Sequence, residues 1–389
     1  MREAGLPSVR RSATVGLLVL LAAVVLSACT HPVRFHVVTQ AVAEDNRPAK
    51  HPANPPYPDS EGSATWVSGE DVAFSSAAGI TIANLRTGAT RTVDQKAYLV
   101  YGDGKGRLAF ASPEGLGVVE PDGSHRLILP RAELGGAAGE APEESTLPRV
   151  EGLAWSPEGD RLAVLVQARS SVSLAVDQSI VMVVDPSRSG SGRVVFTRDG
   201  LDGMVRCVGW LDPDRLWVYH NDYLEPESNE AWVANPPKPF PTASVLAVRV
   251  SGGGEGEVLA RWPWYVRISA VGQKGVVATV HYPTGSLVEP GPAIFNLAER
   301  REVISVPAGI WPLAVPGQGS GYFALRIRDG EEDLVYVRGD SAELVAGSTT
   351  SPFNCSAEVG YWCRGWYVSG DGRRVLRVND DRLVVYGLR

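Results

Sequence analysis

Between residues 64 and 389, apolar and polar positions alternate with a period of two in short runs, and clusters of Gly, Pro, Asp and Ser separate the runs. The stretch "LAWSPEGDRLAVLV", residues 153–166, holds the unit in miniature: an apolar run ending on Trp155, a Ser-Pro-Glu-Gly-Asp turn, and a second run of Leu, Ala and Val. Neighbouring side chains on a strand point to opposite faces, so this period predicts strands and not helices. Turns rich in Gly and Asp tolerate the positive φ of a tight hairpin, so each pair of runs reads as one hairpin. No long stretch beyond the N-terminal segment has a convincing 3.6-residue period.

The phrase recurs. "ATWVSGEDVAFSS" from Ala64, "AYLVYGDGKGRLAFAS" from Ala97, "CVGWLDPDRLWVYH" from Cys207, "RISAVGQKGVVATVH" from Arg267, "IWPLAVPGQGSGYFALRI" from Ile310 and "RGWYVSGDGRRVLRVN" from Arg364 bring the copies to seven. Each copy except the last is followed by a hairpin of its own kind, such as "GVVEPDGSHRLIL" or "LVYVRGDSAELVAG". Two hairpins in tandem make a four-stranded antiparallel unit. Seven such units predict an all-β fold, a seven-bladed β-propeller in which every blade buries its faces against its neighbours. A two-sheet sandwich does not account for seven echoes.

The seventh unit stops after three strands, at "RLVVYGLR", and would leave an edge able to template aggregation. Residues 32–42, "PVRFHVVTQAV", alternate and lie ahead of the first blade. They are expected to supply the outermost strand of the last blade and so latch the ring. The Pro-rich residues 44–62 then read as an extended surface crossing; the alternative is one loose tether over 30–62.

The best-formed copy, residues 155–162, resembles the repeat of TolB-type and WD-repeat-like bacterial propellers, in which an aromatic is followed by Ser-Pro-Asp-Gly and then an apolar strand. The copies around Trp66, Trp210 and Trp366 match less closely, and those from Ala97, Arg267 and Ile310 are degenerate. The resemblance spans most of 64–389 and implies a fold. It leaves activity open, because that fold hosts binders, assembly factors and hydrolases alike.

The N-terminus adds a location. Arg2, Arg10 and Arg11 precede an uncharged apolar stretch over 13–28, which ends in "LSAC" at 26–29. This pattern describes a secretory signal and not a membrane span, and the tetrapeptide resembles the bacterial lipobox. Cys29 is therefore expected to be lipidated, anchoring the protein to the outer face of the cytoplasmic membrane, or to an outer membrane where the cell has one. An ordinary cleaved signal is the competing reading. The organisation that follows is a signal peptide over 1–28, a lipidated segment with latch and crossing over 29–62, and a propeller over 63–389. The whole chain carries a formal charge of −7, of which 1–28 contribute +2, leaving −9 on the mature part. That balance argues against a nucleic-acid partner. Cys355 and Cys363 bracket the short loop "CSAEVGYWC" in an oxidising compartment, so a disulfide is expected there. Cys207, in the apolar run "VRCVGW", reads as a buried thiol. No zinc-ligand spacing is present, and neither a metal nor another cofactor is expected.

Chain order also sorts the loops of a propeller. Turns inside hairpins fall on one face, and connections between hairpins and between blades fall on the other. Here the former are short, whereas the latter include the long segments 131–149, 168–178, 221–243, 282–292 and 347–363. Long loops sharing one face point to a binding surface. Four residues ahead of Trp155 stands Glu151, and alignment by the turns sets Arg206, Arg267, Trp311 and Arg364 at the same place in other blades. These five are the candidate channel-mouth residues, with guanidiniums suited to a carboxylate or phosphate. The alternative is a structural ion pairing with acids such as Glu151. Tyr219, His220, Tyr223, Trp232, His281 and Tyr282 are candidates for a rim wall. No nucleophile elbow is present, so no catalytic residue is assigned. The sequence thus points to a tethered module that binds a peptide, protein or envelope polymer. A carbohydrate-active hydrolase or lyase using His220 or His281 with a rim carboxylate, and a fixed structural part of an envelope complex, stay open.

Overall fold

A computed structural model describes residues 35–41, 64–76, 78–136, 146–170, 176–199, 204–221, 242–251, 256–263, 266–270, 275–281, 293–307, 309–313, 321–328, 331–349, 366–378 and 382–388. The strands form seven four-stranded antiparallel sheets, six of which run from an innermost to an outermost strand in chain order. Blades 1 to 6 cover residues 64–93, 99–130, 146–199, 204–263, 266–305 and 310–349. Blade 7 takes three strands from 366–388 and its outermost from the N-terminal side, as the alternation predicts.

Blade 3 shows why the apolar runs are so continuous. On its second strand, Leu162–Ser170, the side chains of Leu162, Val164 and Val166 join a core shared with blade 2, while Ala163 and Leu165 join one shared with blade 4. Both faces of the sheet are dry, so both sets of alternating positions are apolar. Seven such cores exist among the described residues, each between successive blades, and the one joining Trp66 and Phe74 to Leu376 and Val385 closes blade 7 on blade 1. The sheets therefore stand in a ring.

The repeated phrase is the joint between blades. In its turn the Ser156 N–H donates to the Arg161 carbonyl at 2.9 Å and the Ser156 hydroxyl donates to the Asp160 carboxylate at 2.7 Å. Gly159 occupies φ +79°, and blade 7 repeats the turn around Ser369, with Gly372 at φ +69°. At the end of the preceding strand, an indole reaches back to the previous blade. Trp155 donates to the Tyr101 carbonyl at 2.9 Å, Trp210 to Ala154 at 2.9 Å, and Trp66 to Tyr367 at 3.0 Å. A guanidinium from the previous blade then lies over each ring: Arg107 over Trp155 at 4.7 Å, Arg161 over Trp210 at 5.2 Å, Arg374 over Trp66 at 4.5 Å. Arg107 and Arg374 also donate to the carbonyls of Gly159 and Gly69 in the next turn. Trp reaches back, Arg reaches forward, and the ring face of Trp attracts the cation.

The latch strand spans Phe35–Ala41 and pairs residue for residue with the C-terminal strand Arg382–Leu388. Its inward residues work both sides of the blade. Phe35 meets Phe323 and Tyr336 of blade 6 at ring separations of 6.3 and 5.9 Å, and Val38 packs into the core shared with blade 1. Gln40 donates to the Gly88 carbonyl at 3.0 Å.

One element was not expected. The connection after blade 2 begins with a short helix, Arg131–Gly136, whose Leu134 is 2 % exposed in the core between blades 2 and 3. Cys207 is a free thiol, pushed up to about 11 by burial. Cys29, Cys355 and Cys363 lie outside the described residues.

Candidate functional site

Each blade's innermost strand runs from the face of the blade-to-blade connections to the face of the hairpin turns, so strand order sets which loops are neighbours. The five long connections all lie between strands that end and begin on the first of these faces. The opposite face, among the described residues, is made of short turns such as 156–161, 185–192 and 369–373.

On the innermost strands of blades 3 and 4, Thr146–Trp155 and Met204–Asp212, the pairing register jumps at one equivalent place. The breaks fall between Val150 and Gly152, and between Val205 and Cys207, which makes Glu151 and Arg206 the extra residues of two β-bulges. A bulge bends the strand and interrupts its alternation, and bulges gather where a protein re-aims a side chain. In blade 3 the strand continues five residues beyond Glu151 towards the long-loop face, with Thr146 opposite Ser170. Glu151 therefore lies within the strand and not at its opening.

Both bulges are held from the preceding blade. The Val150 N–H donates to the Tyr98 hydroxyl at 3.1 Å. The Val205 N–H donates to the Ser179 hydroxyl at 3.2 Å, and the Val205 carbonyl accepts from Gln167 Nε2 at 2.7 Å. Ser179 and Gln167 are buried, so these backbone groups are satisfied away from water. Burial also pushes the Tyr98 hydroxyl up, keeping it neutral. Arg149 stacks on the Tyr98 ring at 4.8 Å and brings its Nε to 3.6 Å from the Glu151 carboxylate. Tyr98, Arg149, Gln167 and Ser179 were not singled out by sequence reasoning. Gln167 and Ser179, two polar side chains inside otherwise apolar alternation, were the available signal.

The other candidates separate. Blade 5's innermost strand, Val266–Ala270, pairs without a bulge, so Arg267 stands level with Gly152 and Cys207 and not with Glu151 and Arg206. Trp311 is half-buried and packs against the core between blades 6 and 7. Tyr219 is 1 % exposed in the core between blades 4 and 5, a correction for the rim wall. His220 is 3 % exposed, with Nε2 3.5 Å from the Arg198 guanidinium of blade 3. The two alternate on one strand, and each faces a neighbouring blade. His281 ends its strand opposite Val266. Arg364, Tyr223, Trp232 and Tyr282 lie outside the described residues.

A cleft of about 510 Å³ opens on the short-turn face between blades 2 and 3, lined by Arg107, Arg126, Arg161, Glu120, Asp160 and Asp185. Its cations are engaged: Arg107 with Asp103 at 2.9 Å, Arg126 with the Pro186 carbonyl, and Arg161 with Asp160 at 3.6 Å. Among the described residues no group of three His, Cys, Asp or Glu is arranged to hold a metal ion, and no helix is long and apolar enough to cross a membrane.

No protein-family model matches the chain, and no curated protein matches it. Solved structures do. The chain is similar to an oligogalacturonate lyase from Vibrio parahaemolyticus, at 10 % identity over 92 % of this chain and 98 % of that one, with a TM-score of 0.54. It is similar to a puromycin hydrolase at 14 % identity over 82 % of this chain and 50 % of the other, TM-score 0.51. A chain of the mitotic checkpoint complex aligns over 100 % of this chain and 96 % of its own at 13 % identity, TM-score 0.49. At these identities the likeness is one of fold.

Proposed function

We propose that the protein is a membrane-tethered, extracytoplasmic lipoprotein whose propeller binds a peptide, a protein or an envelope polymer through its long-loop face, without catalysis. The observation that carries this reading is the one-sidedness of the ring. All five long connections join strand ends on one face, and polar side chains of the preceding blade fix the backbone at Glu151 and Arg206 in two successive blades. Preorganised charged groups lower the entropy cost of binding a partner's polar groups. The TolB-like phrase and the lipobox at 26–29 support an envelope setting. His220, packed between two blades, is poorly placed as an open acid or base, so a hydrolase or lyase is the weaker reading.

The test is purification of the acylated protein from its native membrane, with quantification of whatever accompanies it. Glu151→Ala and Arg206→Ala, with the fold verified by thermal melting, are expected to reduce the accompanying partner by tenfold or more. Full recovery of the partner with both variants would refute the proposed face.

A further inference from the structure

We infer that the ring rests flat on the bilayer through its short-turn face, with the long-loop face turned away from the membrane. This rests on the acylation of Cys29 proposed above. The latch fixes the geometry. The Leu388 N–H donates to the Arg373 carbonyl at 3.1 Å, in the first hairpin turn of blade 7, so the C-terminal strand ends on the short-turn face. Phe35 is paired with Leu388, and Ala41 with Arg382 at the opposite end. The chain therefore enters the latch where every other blade makes its second hairpin turn.

Five residues separate Cys29 from Phe35. At about 3.5 Å per residue the anchor lies within about 21 Å of Phe35 even when the tether is straight. The six steps from Phe35 to Ala41 themselves span about 20 Å at about 3.3 Å per residue. A tether folded back along the blade thus draws level with Ala41 only when it is fully straight. Seating the long-loop face on the bilayer would leave the tether no slack, whereas the short-turn face meets the anchor without stretching it.

The short-turn face suits this contact. Among the described residues its turns are short, as at 85–89, 120–124 and 185–192. Its charges are matched locally, Arg86 with Glu70 at 2.8 Å, Arg215 with Asp212 at 2.6 Å, and Arg188 with Asp185 at 3.5 Å. The acidic excess of the chain is therefore not concentrated where it would repel anionic headgroups.

The experiment uses the full, acylated protein in vesicles of zwitterionic lipid carrying a headgroup-linked quencher. The mass of the N-terminal peptide and flotation with the vesicles are measured first, and an unacylated Cys29 overturns this inference together with the lipoprotein reading. Fluorophores are then placed singly by Ala89→Cys in blade 1 and Ser189→Cys in blade 3, both exposed on the short-turn face, and by Glu114→Cys, exposed on the opposite face. The background is Cys207→Ser, Cys355→Ser and Cys363→Ser. Quenching at 89 and 189 is expected to exceed that at 114 at least threefold. Quenching at 89 alone means that the ring stands on its edge, and strongest quenching at 114 means that it is inverted; either overturns the orientation and leaves acylation standing. Hydroxyl-radical footprinting of the unmodified protein on vesicles gives a second reading. Protection of 185–192 above 112–116 is expected, and equal protection refutes it.

Discussion

If the Trp–Arg joint holds blades together, its two partners must be energetically coupled across the boundary. Arg107 and Trp155 offer the best-defined case: the guanidinium lies 4.7 Å from the ring centroid, its side chain is 27 % exposed, and the indole is 8 % exposed. A half-desolvated cation over Trp is worth about 1–2 kcal/mol. Trp155→Phe keeps a ring but loses the indole hydrogen bond to the Tyr101 carbonyl, at a cost of about 1 kcal/mol, whereas Trp155→Ala also opens a cavity and costs about 4 kcal/mol. Arg107→Met retains the aliphatic stem and removes the charge, together with its bonds to Asp103 and Gly159. A double-mutant cycle cancels those private losses and isolates the pair. The assay is urea unfolding at fixed salt, read at the midpoint with the slope required to stay constant. Coupling between Arg107→Met and Trp155→Ala should be about 1 kcal/mol. Additivity within about 0.3 kcal/mol would mean that the guanidinium merely overlies the ring, and the account of the repeated phrase as an inter-blade joint would fail.

Ser179→Ala leaves the Val205 N–H buried without its acceptor and should cost about 1–3 kcal/mol, with faster hydrogen exchange at Val205; unchanged exchange would show that the clamp does not hold the bulge. Deleting 35–41 uncovers the edge of the C-terminal strand and removes Phe35 and Val38 from two cores, so the melting temperature should fall by more than about 10 °C. A synthetic peptide spanning 33–43 should restore part of it, and an unaltered melt would refute the latch as a closing element. Cys207 stays protonated in the fold up to about 11 but ionises near 9.0 in the unfolded chain, so the unfolded state loses its proton first. Its contribution to stability is therefore intact below about pH 9 and lost as the pH climbs towards 11. Iodoacetamide at pH 8 should modify Cys207 slowly in the native protein and rapidly in urea; equal rates would mean that the thiol is open to solvent.

The candidate site was only half legible. Counting back from Trp155 and Trp210 finds Glu151 and Arg206, because both strands carry the same bulge and errors cancel. The same count in blade 5 lands one register away, since Val266–Ala270 has no extra residue, and a bulge leaves no mark in an alternating pattern. In blade 6 it lands on Trp311, which the neighbouring blade has claimed for its core. Tyr219 and His220 were misjudged for a related reason. Near a strand's end, sequence alone does not show how far the next blade's cover extends.

The order of runs and turns along the chain determined the strands, the number of blades, the origin of the missing outer strand and the crowding of long connections on one side, because a period of two and the chemistry of turns act over a few residues and repeat. The three-dimensional arrangement alone decided that the indole and guanidinium of the repeated phrase meet partners in different blades, that Gln167 and Ser179 hold the backbone of a strand far along the chain, and that Phe35 enters from the short-turn side. Those contacts join residues distant in sequence, and their geometry exists only once the ring has closed.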